Sequence, residues 1–334
     1  MKILALIDNQ GWCWQRTTEN LAYHMPEHEW DLMTAAEFRE IEQSSIKADL
    51  VYMRGYSNMF LRETDELPCP FIWTLSTGGA NLAFRLKGAL PTGRKAAAVI
   101  VQNQKAYHEC VSAGLRGAII IPNGVDGNLF SPTEVRKSFT VGFAGNNFGS
   151  RGELKGTGIL HDALKLLQGV DYKETTYENP LPQQDMPDFY NSLSVYCQPS
   201  EAEGCSNSVM EAMSCGLPCL ICEGVGYHGE VCRDGIDSEK GEVVFVKREP
   251  GDIAEKISIL RDNVYIAERI SRNARRFANE HSWKIIVEKF RALFDSLDPS
   301  KQKKAAAWNV APPKKRYEGQ MKVLNFTPRV RPVL

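Results

Sequence analysis

Short apolar runs alternate with stretches of helical spacing along most of the chain. KILALID (2–8) is continuously apolar, as a parallel strand covered on both faces requires. ADLVYMRG (48–55), PFIWTLST (70–77) and AAAVIVQN (96–103) read as further strands. So does GAIIIPNG (117–124), broken by Pro122 and the Asn123-Gly124 turn. Between them, TTENLAYHM (17–25) has helical spacing, with Leu21 and Ala22 backing onto Met25. QKAYHECVSAG (104–114) predicts a helix stopped at Gly114.

A second series begins near residue 139. FTVGFAGN (139–146) predicts a strand, and 149–158 a glycine-rich loop containing Arg151 and Lys155. An amphipathic helix follows at 158–167, then DYKETTY (171–177) as a strand. MPDFYNSL (186–193) reads as a short helix, SVYCQPS (194–200) as a strand and NSVMEAMSCG (207–216) as a helix ending at Gly216. LPCLICEG and GEVVFVK (241–247) are strands, and helices are predicted over 250–262, 265–281 and 283–297. This alternation gives an α/β chain of parallel sheets with helices on both faces. A linker near 125–138 separates two doubly wound, Rossmann-like domains, 1–135 and 136–282, facing each other across a cleft. Ligands bind such sheets beyond the carboxyl ends of the strands.

The 334 residues fit two domains of ordinary size, and 43% hydrophobic with 24% charged residues excludes wholesale disorder and a disulfide-built miniprotein. The longest apolar runs, such as AAAVIV (96–101), fall far below the roughly 18–20 residues a bilayer needs. MKILALID is too short for a secretory core, so the nine scattered cysteines are expected to be free thiols in a reducing cytoplasm. Cys215, Cys219, Cys222 and Cys232 cluster in sequence. Cys219 and Cys222 form a CxxC, but in a strand they point to opposite faces, so no metal is expected. Charge is uneven. Residues 301–334 hold nine Lys and Arg against Glu318 alone, a balance of +8, while the other 300 residues carry −9 (31 basic, 40 acidic). The pattern from 299 to 334 is that of a basic tail, a solvated extension or a contact for a polyanion or membrane surface.

EGCSNSVMEAMSCGLP (203–218) carries the most chemical information. It reads as a strand end, a tight loop opened by Gly204, and a helix start. Amides of Ser206, Asn207, Ser208 and Val209 would be unpaired and positively polarised, suited to a diphosphate. Glu203 precedes the helix. Glu211, eight positions on, lies early in it, where its carboxylate can take ribose hydroxyls; simple complementation of the helix dipole is the alternative.

The segment resembles the signature of retaining GT-B glycosyltransferases of family 4 (glycosyl transferases group 1): a glutamate, seven residues, a second glutamate, then Ala-Met-x-x-Gly-x-Pro. Other stretches agree in order. IIIPNGVD (119–126) resembles the interdomain linker strand, and FAGN…LKG (143–156) the second domain's first strand and phosphate loop. MPDFYNSLSVYCQPS (186–200) resembles the helix and strand before the glutamates; GEVCRDG (229–235) and HSWKIIVEKF (281–290) resemble a later loop and the closing helix. The resemblance implies two Rossmann-like domains, a nucleotide-sugar donor held by the second, an acceptor on the first, and a closing helix (283–298) packed back toward the first. It implies transfer with retention, no metal and no other cofactor. Glu203 matches the glutamate beside the donor sugar, Glu211 the ribose ligand and Lys155 the phosphate lysine. Gly145, Gly204 and the 206–209 amides complete the donor site. The family often has arginine where this chain has Asn146; Arg151 is the candidate substitute, with a solvated loop charge as the alternative.

The first half is less explicit. DNQGWCWQRTTENLA (8–22) reads as a cleft-facing loop, where Trp12, Trp14 and Arg16 are candidate acceptor contacts, or packing in the case of the tryptophans. Gly78 ends another strand near a point where the family often has a histidine, absent here. Arg54 is a candidate for an anionic acceptor, His228 for substrate contact, and Phe189 and Tyr190 for core packing. The acceptor classes are glycan, lipid or, given the tail, nucleic acid such as a modified DNA base. The competing functions are a GT-B-shaped nucleotide-sugar-binding protein without transfer and a nucleotide-sugar epimerase.

Overall fold

The computed structural model describes residues 1–8, 13–55, 59–62, 65–75, 82–115, 117–133, 138–147, 149–298 and 301. The first sheet holds β1 (Lys2–Ile7), β2 (Glu29–Thr34), β3 (Leu50–Arg54), β4 (Phe71–Thr74), β5 (Ala98–Val101) and β6 (Ala118–Ile120), in the spatial order β2-β1-β3-β4-β5-β6. The second holds β7 (Thr140–Gly145), β8 (Asp171–Thr176), β9 (Val195–Gln198), β10 (Cys219–Ile221) and β11 (Val244–Phe245), in the order β11-β10-β9-β7-β8. Every pairing is parallel. Around the first sheet lie α1 (Cys13–His24), α2 (Ala35–Glu40), α3 (Leu82–Gly93) and α4 (Gln104–Ser112). The second sheet carries α5 (Ser150–Lys155), α6 (Thr157–Leu164), α7 (Met186–Asn191), α8 (Asn207–Ser214), α9 (Gly226–Val231), α10 (Pro250–Asp262) and α11 (Val264–Glu280); α12 (Trp283–Leu297) ends the described fold.

The period of two along each strand sorts the cores into layers. Leu4, Leu6, Val51, Met53 and Trp73 pack with Phe38 of α2 and Cys110 of α4. Their neighbours Ile3, Ala5, Tyr52 and Ile72 pack on the other face with Leu21 of α1 and with Trp283, Phe290 and Phe294 of α12. Each such buried side chain contributes roughly 1.5–3 kcal/mol of transfer free energy, so α12 is bound firmly to the first sheet although it follows the second domain. In the second sheet, Cys219 packs with α8 and α11, and Cys222 lies in the opposite layer with α10. None of the nine cysteines is in a disulfide. The chain crosses between domains twice at one place: the Val125 N–H donates to the His281 carbonyl (3.1 Å), and the Trp283 N–H to the Val125 carbonyl (3.0 Å). Among the described residues no helix is long and apolar enough to cross a membrane.

Four local expectations need correction. Residues from Cys13 onward already belong to α1, so Trp14 and Arg16 stand on a helix, not in a loop. The β2–α2 pair has no counterpart in the pattern of apolar positions. EWDLMT is a half-exposed edge strand without a clean apolar period, and α2 starts from a capping box in which the Glu37 N–H meets Thr34 Oγ1 and the Glu37 carboxylate the Thr34 N–H. Of the stretch 149–158, residues 150–158 are helical, broken only at Gly156, whose φ of +76° ends α5 and begins α6. The first three residues of 229–235, read as a loop, belong to α9.

Candidate active site

β9 delivers the chain to the site and α8 carries it away. Gln198, the last residue of β9, is buried, and its carboxamide is a hub. Its Oε1 accepts from the hydroxyls of Tyr196, Ser206 and Ser208; its Nε2 donates to Ser200 Oγ and to Glu203 Oε1. The same Glu203 oxygen accepts from Ser200 Oγ (2.7 Å) and Lys155 Nζ (2.5 Å). The ion pair is largely sheltered, with side-chain exposures of 21% for Lys155 and 13% for Glu203. Three donors on one carboxylate oxygen hold an anion that solvent reaches poorly.

Lys155 is placed by the turn that follows it. A Cβ on Gly156 would lie 2.5 Å from the Pro199 carbonyl oxygen, so only glycine lets α5 end against the β9 loop. Arg248 fastens this arrangement: its guanidinium donates to the carbonyls of Pro199 (2.6 Å), Glu153 (2.8 Å) and Leu154 (3.2 Å). Sequence reasoning missed both Gln198 and Arg248. Arg151 is exposed on the first turn of α5, one helical turn before Lys155 and on the same side. Gly145 ends β7 and Asn146 follows it.

At the start of α8, Ser206 is the N-cap, and its Oγ accepts the Val209 N–H at 3.4 Å. The Val209 amide is therefore occupied, contrary to expectation, and its side chain is buried in the core. Helix geometry leaves the amides of Asn207 and Ser208 without intrahelical acceptors, at the positive end of the α8 dipole and beside the Glu203–Lys155 pair.

Glu211 lies one turn further along α8. Its Oε2 accepts the Tyr190 hydroxyl at 2.8 Å, so Tyr190 is both core and support. Burial pushes the Glu211 carboxyl up to about 7; the bond from Tyr190, the charge of Arg16 and a bond from Gln183 oppose that rise. Arg16 is on α1, so a first-domain cation acts on a second-domain carboxylate across the cleft. The Cys13 thiol, raised by burial, feels the charges of Arg54, Arg16, Asp8 and Lys155. The ends of β1, β3 and α5 and the first turn of α1 therefore converge.

Other candidates fall elsewhere. Trp14 packs on Gly55, where a Cβ would meet its ring at 2.6 Å. Arg54 is buried and donates to Tyr52 Oη and to Asn123 Oδ1; it supports the fold of the cleft floor from within. His228 is buried on α9, which lowers its pKa to about 3, so it is neutral at any ordinary pH. Trp12 and Gly78 lie outside the described residues. Among the described residues, no three His, Cys, Asp or Glu side chains form a metal-holding group.

Over residues 143–263 the sequence matches the family described as glycosyl transferases group 1. It is 29% identical over 113 residues to an uncharacterized glycosyltransferase of Methanocaldococcus jannaschii, a stretch covering 34% of this chain and 31% of that one. It is also 29% identical over 118 residues to the D-inositol 3-phosphate glycosyltransferase of Thermomonospora curvata, covering 35% and 26% respectively. The matched part of this chain thus spans less than a third of the length of these curated relatives. The whole fold is similar to HepE of Anabaena, solved in complex with UDP-glucose, with a TM-score of 0.71 at 17% identity over 89% of this chain and 100% of that one. It is similar also to sucrose-phosphate synthase from Thermosynechococcus elongatus, with a TM-score of 0.69 at 13% identity over 92% and 100%.

Proposed function

We propose the following activity for this chain, whose fold is GT-B and whose second domain is of the glycosyl transferases group 1: it moves a sugar from a nucleotide-diphosphate donor to an acceptor hydroxyl, with retention at the anomeric carbon and no metal requirement. The bond from the anomeric carbon to the diphosphate breaks, one to the acceptor oxygen forms, and the hydroxyl proton leaves with the diphosphate. The observation that carries this reading is the Lys155–Glu203 pair beside the uncapped amides of α8. Those amides and the Lys155 ammonium meet the charge that grows on the departing diphosphate. Glu203 faces the sugar and Glu211 the ribose.

A ligand that binds only the folded state raises its melting point. The test is a thermal-shift and turnover screen of nucleoside diphosphates and their sugars, starting with UDP and UDP-glucose. At about 100 times Kd the matching donor is expected to add roughly 2.7 kcal/mol, a rise of several degrees. Binding without turnover would make the chain a sugar-nucleotide-binding protein, and conversion of the sugar without acceptor an epimerase.

The acceptor is proposed to be a polyanion or to lie on one, because the +8 tail is an electrostatic footprint for nucleic acid. Deleting residues 299–334 is expected to weaken duplex DNA binding and to flatten its salt dependence, by about 0.9 in log–log slope for each phosphate that the tail neutralises. An unchanged slope would remove nucleic acid from the reading.

A further inference from the structure

The loop that carries Glu203 is held from the other domain. Asn103, at the end of β5, is buried, and every polar atom of its carboxamide is committed. Oδ1 accepts the Ala106 N–H at 2.8 Å and so caps α4. Nδ2 donates to two successive carbonyls across the cleft, Glu203 and Gly204, each at 3.1 Å. The cap fixes which way the amide faces; a flipped carboxamide would set its oxygen against two carbonyl oxygens. The next residue is gripped at both its main-chain ends. Gln102 Oε1 accepts the Cys205 N–H (3.2 Å), and Asn123 Nδ2 donates to the Cys205 carbonyl (3.0 Å) and to Asn207 Oδ1 (2.7 Å). Gln102 Nε2 in turn donates to Asn123 Oδ1 (2.6 Å), which also takes Arg54. A second tie runs the other way: Glu230 of α9 accepts the amides of Gln104 (2.6 Å) and Lys105 (3.0 Å) at the start of α4.

Four main-chain groups between Glu203 and Cys205 therefore have first-domain side chains as partners, and the Gly204 carbonyl also accepts the Tyr227 N–H of α9 (2.7 Å). Gly226 leaves no room for the loop to relax backward, since a Cβ there would meet Glu203 Cβ at 2.6 Å. Resting on the role of Glu203 in sugar transfer, we propose that Asn103, with Gln102 and Asn123 behind it, is a positioning residue: the acceptor-side domain sets the direction in which the Glu203 carboxylate faces the donor sugar, while the start of α8, whose amides take the diphosphate, is held by bonds that do not involve Asn103, the Ser206 cap and the Asn123 bond to Asn207.

Asn103→Ser separates the two jobs of this residue. Serine is a good N-cap, so α4 keeps its cap while the reach to Glu203 and Gly204 is lost. In the ligand-free protein, amide exchange at 204–206 is expected to rise roughly tenfold, with Ala106 unchanged. With the donor found in the screen, kcat is expected to fall about tenfold through misplacement of Glu203, and the Kd for UDP to stay within about threefold. Unchanged exchange at 204–206 overturns the proposal, as does raised exchange with wild-type kcat, or a loss confined to UDP affinity. If Asn103→Ser fails to fold, Gln102→Leu breaks the Cys205 bond and is read in the same way. Wild-type protein without turnover on any donor would instead count against the proposed transfer, and the exchange result would still decide whether Asn103 holds the loop.

Discussion

Lys155→Ala is expected to lower kcat by about 10²–10³-fold, the usual cost of removing one preorganised group aimed at charge that develops in the transition state. Two effects combine. The ammonium stands at the end of α5 against Glu203, next to the amides of Asn207 and Ser208, so its loss leaves the departing diphosphate with the helix terminus alone. The loss also leaves Glu203 Oε1, among the described residues, with Gln198 and Ser200 as donors, a sheltered anion without its cation. The first effect falls on kcat; the second shows as a lower melting point of the free protein. Glu203→Gln separates them, since it leaves the ammonium free for phosphate while removing the carboxylate. Steady-state kinetics on both variants, with melting points alongside, is the measurement. A fall of less than tenfold in Lys155→Ala would mean that another cation meets the leaving group, and Arg151, one turn earlier on α5, is the first to replace.

The parts of the site that a sequence reveals are those built from neighbours in the chain. The strand–loop–helix around Glu203, the eight-residue step to Glu211 and the Lys155-Gly156 pair are local patterns, and the structure puts all three at the carboxyl ends of the second sheet. Their supports are not local. Asn103 meets Glu203 from 100 positions away, Arg54 meets Asn123 from 69, and Arg248 meets Leu154 from 94. An Asn or Arg in a loop or at a strand end has no spacing that announces such a partner. The same limit explains α5: the glycines of 149–158 read as loop because propensity weighs against them, whereas Gly152 is there because a Cβ would meet the Asn147 carbonyl oxygen at 2.3 Å. Tyr190 shows the opposite case, a residue whose apolar surroundings were legible and whose hydroxyl was not.

That hydroxyl bears on the second large effect, the pH dependence of donor binding. Glu211 titrates at about 7 in the folded protein against an ordinary value of 4.5, because burial disfavours its charge. In the proposed role of Glu211, ribose hydroxyls donate to its ionised carboxylate, so below pH 7 a donor would first have to displace a proton. UDP-glucose affinity is therefore expected to fall about tenfold per pH unit on the acid side, close to a hundredfold between pH 8 and pH 5. UDP-glucose suits the test because its diphosphate carries no group that titrates in this range. Stability of the free protein runs the other way. Between pH 4.5 and 7 the folded state keeps a proton that the unfolded chain has lost, so the contribution from Glu211 is complete below 4.5 and is lost as pH rises through 7. Over one window the melting point thus declines while donor affinity grows. Glu211→Gln is expected to flatten both trends. Tyr190→Phe removes a bond that favours the ionised form and is expected to move the binding midpoint to higher pH. Calorimetric titrations at pH 5, 6, 7 and 8 on the three proteins measure this; equal affinity of the wild type at pH 5 and pH 8 would take Glu211 out of the ribose site.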